Sequence, residues 1–180
     1  MEADELDLIR RMVAGEESAY RKLLEKHLPP LSNYVIRMMV NTADADDIVQ
    51  ETLIRLWTRG DQFSPEKTKL TTWLHKIAHN LCIDHFRKHR RSIDEHPVQE
   101  VALTSGPETS LVQQGLSRDI TRAMMALPER QRSAIIMCHY QGLSNKEAAI
   151  VLDISVDALE SLMARGRGKL RQILAADYED

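Results

Sequence analysis

The run GLSNKEAAIVLDISVDALESLMARGRGKLRQIL, residues 142–174, decides the fold class. Ser144 and Glu147 stand at the spacing of a capping box, in which the serine hydroxyl takes a backbone N–H at a helix start and the glutamate reaches back to the cap. The short helix begun there carries Ala148, Ala149 and Leu152, and its alanines let another helix approach closely. Asp153, Ile154 and Ser155 are predicted to form a tight turn, with Ser155 as N-cap of the last helix. In that helix Leu159, Leu162, Met163, Leu170, Ile173 and Leu174 face inward. Glu160, Ser161, Ala164, Arg165 and Arg167 face outward or lie on the flank, followed by Lys169 and Arg171. Two helices joined by a short turn, the second short on bulk near its start and basic further on, form a helix-turn-helix. The plainer alternative is a helical hairpin that only packs. Gly166 and Gly168 interrupt the second helix at about 1 kcal/mol each relative to alanine, which predicts fraying at its end or a helix firm only on DNA.

Outward from this segment, helical periodicity runs through nearly all of the 180 residues, and aromatics make up only 4% of them. A first helix over Leu6 to Val13 is closed by Gly15, and a second covers about Glu17 to His27. Pro29 and Pro30 are expected to break the pattern and start a third helix running to about Val40. A fourth, capped by Thr42 or Asp44, carries the stripe Ile48, Val49, Thr52, Leu53, Leu56 and Trp57. Gly60 to Thr68 reads as a loop. A long helix follows, with Leu70, Leu74, Ile77, Ala78 and Leu81 among its core positions and a basic end from Arg87 to Arg91. From Ser92 to Ser117 the period is lost among Pro97, Gly106, Pro107 and scattered polar residues, the composition of a flexible linker. The expected architecture is all-α: two small helical domains, 1–91 and 118–180, joined by a linker over 92–117.

Composition narrows the function classes. Two cysteines, Cys82 and Cys138, stand far apart without a C-x-x-C pattern, as in reduced cytoplasmic proteins. A signal peptide and a bilayer-spanning apolar run are both absent from the pattern, so membrane insertion is not expected. The net charge of −3 argues against non-specific coating of nucleic acid and leaves room only for a local basic patch on an acidic body.

Two helix faces carry the candidate chemistry of the first domain. The fourth helix starts acidic and has a polar face with Asp47, Gln50, Glu51 and Arg55. At about 100° per residue, Lys76, Asn80, Arg87 and Arg91 project from one side of the long helix, where they can contact phosphates and offer an amide to a base. His75, His79 and Cys82 have a plausible zinc spacing, but a fourth ligand is not evident and Cys82 borders the apolar stripe. Surface histidines beside a core cysteine, with no metal and no cofactor, are the preferred reading. Asp46, Asp47 and Glu51 lack a matching base, a phosphate loop and a nucleophile, so a partner-docking face is expected rather than a catalytic site.

Taken together, these residues are recognisable. Asp46, Asp47, Gln50, Glu51 and Trp57, followed by Trp73, Leu74, Ile77, Ala78, Asn80, Asp84, Arg87 and Arg91, resemble region 2 of the extracytoplasmic-function sigma factors of bacterial RNA polymerase. Leu127, Pro128, Glu129 and Arg132, then Gly142, Leu143, Ser144, Glu147, Ala148 and Ala149, then Ala164, Arg165, Arg167 and Leu170, resemble region 4. The departures are Gly166 and Gly168, together with the acidic pair Asp157 and Glu160.

The resemblance implies that Asp47, Gln50, Glu51 and Arg55 dock on the clamp coiled coil of core RNA polymerase. Phe63, Lys76, Asn80, Arg87 and Arg91 would bind the −10 element, with Asn80 at the base-reading pocket and the basic residues on the backbone. The second domain would bind the polymerase flap and place Ser155, Asp157, Glu160, Ser161, Arg165, Arg167 and Lys169 at the −35 element. Control by an anti-sigma factor is implied as well. The alternative is a self-contained helix-turn-helix regulator with an N-terminal helical sensor domain. For Glu160 the residues leave several options open: accepting from cytosine N4 in the major groove, pairing with Arg165, or facing solvent.

Overall fold

The computed structural model describes residues 2–39, 42–95 and 119–176, and among these every regular element is helical. By internal contacts the chain falls into two compact units, Met1–Cys82 and Ile83–Asp180, the division lying inside one long helix.

In the first unit, α1 (Glu2–Val13) ends where expected. Gly15 takes φ +92°, and the N–H groups of Gly15 and Glu16 bond to the carbonyls of Met12 (2.9 Å) and Arg11 (3.0 Å), a Schellman closure that seats α1 against the next helix. That helix, α2 (Glu17–Met38), corrects the sequence reading: it runs through Pro29 and Pro30 without a break. Each interior proline costs about 3 kcal/mol. Ala19, Leu23, His27, Leu31, Tyr34, Val35 and Met38 nevertheless form one buried stripe on both sides of the pair. Burial of each large apolar side chain contributes roughly 1.5–3 kcal/mol, so the stripe outweighs the prolines. Buried His27 sits 2.8 Å (Nε2) from Glu5 Oε1, which also accepts from Lys26 Nζ at 2.7 Å and so ties α1 to α2. Burial lowers the His27 pKa from its ordinary value. Burial pushes Glu5 up, but the hydrogen bonds from Lys26 and His27 win and hold its carboxyl below the usual range.

In α3 (Thr42–Arg59), Ala45, Ile48, Val49, Thr52 and Leu56 are buried. Thr52 is tolerated there because its hydroxyl donates to the Ile48 carbonyl (2.8 Å). Trp57, expected in this stripe, lies at its edge and is 38% exposed, its ring tilted on Tyr20 at 5.0 Å. A short 3₁₀ turn, Gly60–Gln62, leads through a loop to α4 (Leu70–Glu95), which extends past Arg91. Its buried residues in this unit are Leu70, Thr72, Leu74, His75, Ala78, His79 and Cys82. The histidines are therefore core residues, not surface ones. Both find partners that make burial tolerable: His79 Nδ1 meets the Tyr34 hydroxyl at 3.0 Å, and His75 Nδ1–H donates to the Thr71 carbonyl at 2.7 Å. The linker expected over 92–117 lies, from residue 96 on, outside the described residues.

The second unit continues with α5 (119–125) and, after Pro128, α6 (Glu129–Ile135). The helix widens into a π-turn over Ile136–Tyr140 and stops at Gly142, whose φ is +66°. Next come α7 (Asn145–Leu152) and α8 (Val156–Ala176). Leu159 and Met163 of α8 are buried, and Leu162, Leu170, Ile173 and Leu174 are half-buried, as their spacing predicts. The helix runs unbroken across both glycines, so the expected fraying is corrected. The two glycines differ in kind. A Cβ at Gly166 would stand 2.7 Å from Ile135 Cδ1 and 3.4 Å from Gln131 Cβ, so its bareness lets α8 lie close on α6. A Cβ at Gly168 would meet nothing within 4 Å.

Thermal or urea unfolding of single variants separates the two roles. Gly168→Ala is expected to stabilise the chain by about 0.5–1 kcal/mol through helix propensity. Gly166→Ala should show no such gain, because Ile135 must move to admit the methyl group. An equal gain at both positions would contradict the close-packing account.

Candidate nucleic-acid interface

The turn between α7 and α8 is built from local chemistry that holds the second helix at a defined angle. Ser144 and Glu147 form the full capping box: Glu147 N–H donates to Ser144 Oγ (3.3 Å), and the Ser144 N–H (2.9 Å) and hydroxyl (2.7 Å) donate to Glu147 Oε2. Asp153 closes α7 in the left-handed region at φ 55°, while Ile154 N–H bonds to the Ala149 carbonyl (3.1 Å). Ser155 then caps α8, its Oγ accepting from Ala158 N–H at 3.1 Å.

With Leu159, Met163 and Gly166 turned to the interior, helical geometry directs Asp157, Glu160, Ser161 and Arg165 to one exposed face, and all four are exposed. Exposed Arg167 and Lys169 stand on opposite flanks of that face. Ser161 Oγ–H donates to the Asp157 carbonyl (3.0 Å), and Arg165 Nε–H donates to the Ser161 carbonyl (3.2 Å). The latter bond ties the guanidinium to the helix through Nε. Of the options open for Glu160, the geometry lacks the pair with Arg165, and the residue is exposed to solvent. Glu160 Oε1 accepts from Asn145 Nδ2 at 3.2 Å, across the turn. Asn145 was missed by sequence reasoning: it follows the serine cap and belongs to no periodic stripe, and a contact over fifteen residues leaves no local pattern.

On α4, Asn80 and Arg87 are exposed and Lys76 is half-buried, all on one side of the helix. Arg87 pairs with Asp84 at 2.9 Å on the exposed surface, an arrangement that salt and competing phosphates readily exchange. The Arg91 side chain lies outside the described residues. Phe63, in the loop before α4, is half-buried and meets Trp73 edge-on at 5.9 Å.

The polar face of α3 divides into two parts. Asp47 and Gln50 are exposed, whereas Glu51 accepts from Arg55 Nε at 2.7 Å. Because Arg55 is matched by Glu51, Asp47 leaves the face with an acidic balance. Among the described residues, no group of three or more His, Cys, Asp or Glu side chains is arranged to hold a metal ion. His75 and His79 are engaged in the core as described, beside buried Cys82.

The family model for Sigma-70 region 2 matches residues 23–92, and that for Sigma-70, region 4 matches residues 117–170. The chain is 31% identical over 179 residues to the ECF RNA polymerase sigma factor SigW of Bacillus subtilis, an alignment covering 92% of this chain and 94% of that protein. It is 32% identical over 173 residues to the RNA polymerase sigma factor NccH of Alcaligenes xylosoxydans xylosoxydans, covering 93% and 92% of the two chains. Its structure is similar to that of the sigma factor RpoE solved in complex with the anti-sigma factor NepR from Bartonella quintana. That match has a TM-score of 0.73 and 28% identity and covers 88% of this chain and 98% of that one. Both sigma regions occur here in order, on the helices whose exposed faces were traced above, and the chain belongs to the ECF family of RNA polymerase sigma factors.

Proposed function

We propose that this chain binds core RNA polymerase and directs it to promoters whose −10 element is read by α4 and the loop before it, and whose −35 element is read by α8. The observation that carries the reading is that each of these helices buries one apolar stripe and leaves a polar, partly basic face exposed. The domains assigned to these tasks are 1–91 and 118–180, with 92–117 connecting them. Asp47, Gln50, Glu51 and Arg55 of α3 dock on the polymerase clamp, and the second domain binds the flap. Phe63 supports a base extruded from the −10 duplex, Asn80 reads its edge, and Lys76, Arg87 and Arg91 hold the backbone. At the −35 element, Ser155, Asp157, Glu160, Ser161, Arg165, Arg167 and Lys169 line the major-groove face. Glu160 accepts from a cytosine N4, and Arg165 and Arg167 contact phosphate or guanine.

An acidic protein with two small readers binds free DNA weakly. Anchoring both readers on polymerase raises their joint affinity through effective concentration. The RpoE relative was solved with an anti-sigma factor, and an inhibitor of that kind is proposed to hold this chain as well. Its place of action is the cytoplasm, with polymerase, and the bond chemistry belongs to polymerase rather than to this chain. No described helix is long and apolar enough to cross a membrane.

Two measurements test these assignments. The double variant Asp47→Ala, Glu51→Ala should weaken binding to core polymerase by about fivefold or more in a competition assay. Wild-type affinity would remove α3 from the docking face. In transcription from a −10 library, Asn80→Ala should lose roughly 1–3 kcal/mol of discrimination at one base position, while Arg87→Ala weakens many promoters together and lowers the salt dependence. An unchanged preference at every −10 position with Asn80→Ala would show that Asn80 reads no base. A self-contained regulator would bind its site tightly without polymerase and give no new transcript when added to it.

A further inference from the structure

We propose that Asn145, at the start of α7, is a positioning residue that orients Glu160 for reading the −35 element; this rests on the reading of Glu160 as a base contact. Three side chains from three elements meet here. The Cys138 thiol of the π-turn lies 3.8 Å from Asn145 Oδ1, and Asn145 Nδ2 lies 3.2 Å from Glu160 Oε1. Hydrogen-bonding chemistry dictates which way the amide points. A carboxylate only accepts, so it must face the amide NH₂; a thiol is foremost a weak donor, so it faces the amide oxygen. The reversed amide would set two acceptors against each other. Burial raises the Cys138 pKa and keeps the donor proton on sulfur near neutral pH.

The backbone leaves Asn145 free for this task. Ser144 and Glu147 complete the capping box between themselves, so the side chain of Asn145 is not needed to close the helix start. From that fixed point it reaches over the turn to the outward face of α8. Among the described residues, Glu160 has one hydrogen-bond partner, on Oε1, and its second carboxylate oxygen remains open to a donor from outside. An untethered glutamate on an exposed helix samples many rotamers, and binding must select one of them. The amide makes part of that selection before DNA arrives, as a supporting contact does for any site that must hold a fixed geometry.

The test is transcription by core polymerase with the full chain on a library varied at every −35 position, comparing wild type, Asn145→Ala, Asn145→Asp, Glu160→Gln and the pair Asn145→Ala, Glu160→Gln. Asn145→Asp is the discriminating variant. It keeps the size of the side chain and suits a helix N-terminus, so a merely structural role predicts no loss. The positioning role predicts loss, because a carboxylate would face the Glu160 carboxylate. Glu160→Gln should change preference at one position by about fivefold or more. Both Asn145 variants should reduce discrimination at that same position by about two- to tenfold, the worth of one hydrogen bond, with other positions unchanged. The double variant should discriminate no worse than Glu160→Gln alone. If Glu160→Gln shifts one position but both Asn145 variants keep the wild-type profile, the positioning role is overturned and the base contact stands. If Glu160→Gln changes activity uniformly across the library, the base contact itself fails and the role of Asn145 falls with it.

Discussion

The close approach of α8 to α6 is eased by the absence of a side chain at position 166. A Cβ there would stand 2.7 Å from Ile135 Cδ1, which would have to shift to admit it. The glycine costs helix propensity, and Leu159 and Met163 of the same helix are buried. Once those residues are inside, the roughly 3.6-residue period turns Asp157, Glu160, Ser161 and Arg165 outward together. The angle of the helix is set separately, by the capping box of α7, the left-handed Asp153 and the Ser155 cap. Depth and angle are thus determined by different groups, and both are fixed without any contact to DNA.

The first unit meets the same requirement with a different solution. In α4 a purely apolar stripe is replaced at two places by histidine. Tyr34 and the Thr71 carbonyl each engage one nitrogen of a buried imidazole, and the bond between His79 and Tyr34 ties α4 to α2 with a directionality that a leucine would lack. Because His75, His79 and Cys82 are turned inward, Asn80 is turned outward, one residue beyond His79. The interior polar groups and the exposed amide are consequences of one register.

What was legible in the sequence was what local chemistry determines. The capping box, the Gly15 closure, the Ser155 cap and the stripes of α3 and α8 all follow from spacings of three or four residues, and each is found where it was read except for Trp57, which stands at the edge of the α3 stripe. What was not legible depended on partners distant in the chain. Pro29 and Pro30 read as a break because their cost is local, whereas the stripe that carries α2 through them is tertiary. His75 and His79 read as surface residues because their partners lie on other turns and another helix. Gly166 was visible only as a propensity defect until Ile135 was seen against it. The bond from Asn145 to Glu160 spans a turn and two helices and has no trace in periodicity.

In the proposed function, a chain of net charge −3 with two exposed, partly basic helix faces supplies selectivity, and the polymerase supplies affinity. The most direct measurement is equilibrium binding of promoter DNA, against DNA with scrambled −10 and −35 elements, by the chain alone and by the chain with core polymerase at one salt concentration. The account predicts weak binding with little discrimination for the chain alone, and strong preference for the intact promoter once core polymerase is present. Tight, sequence-specific binding by the chain alone, unchanged by polymerase, would contradict it.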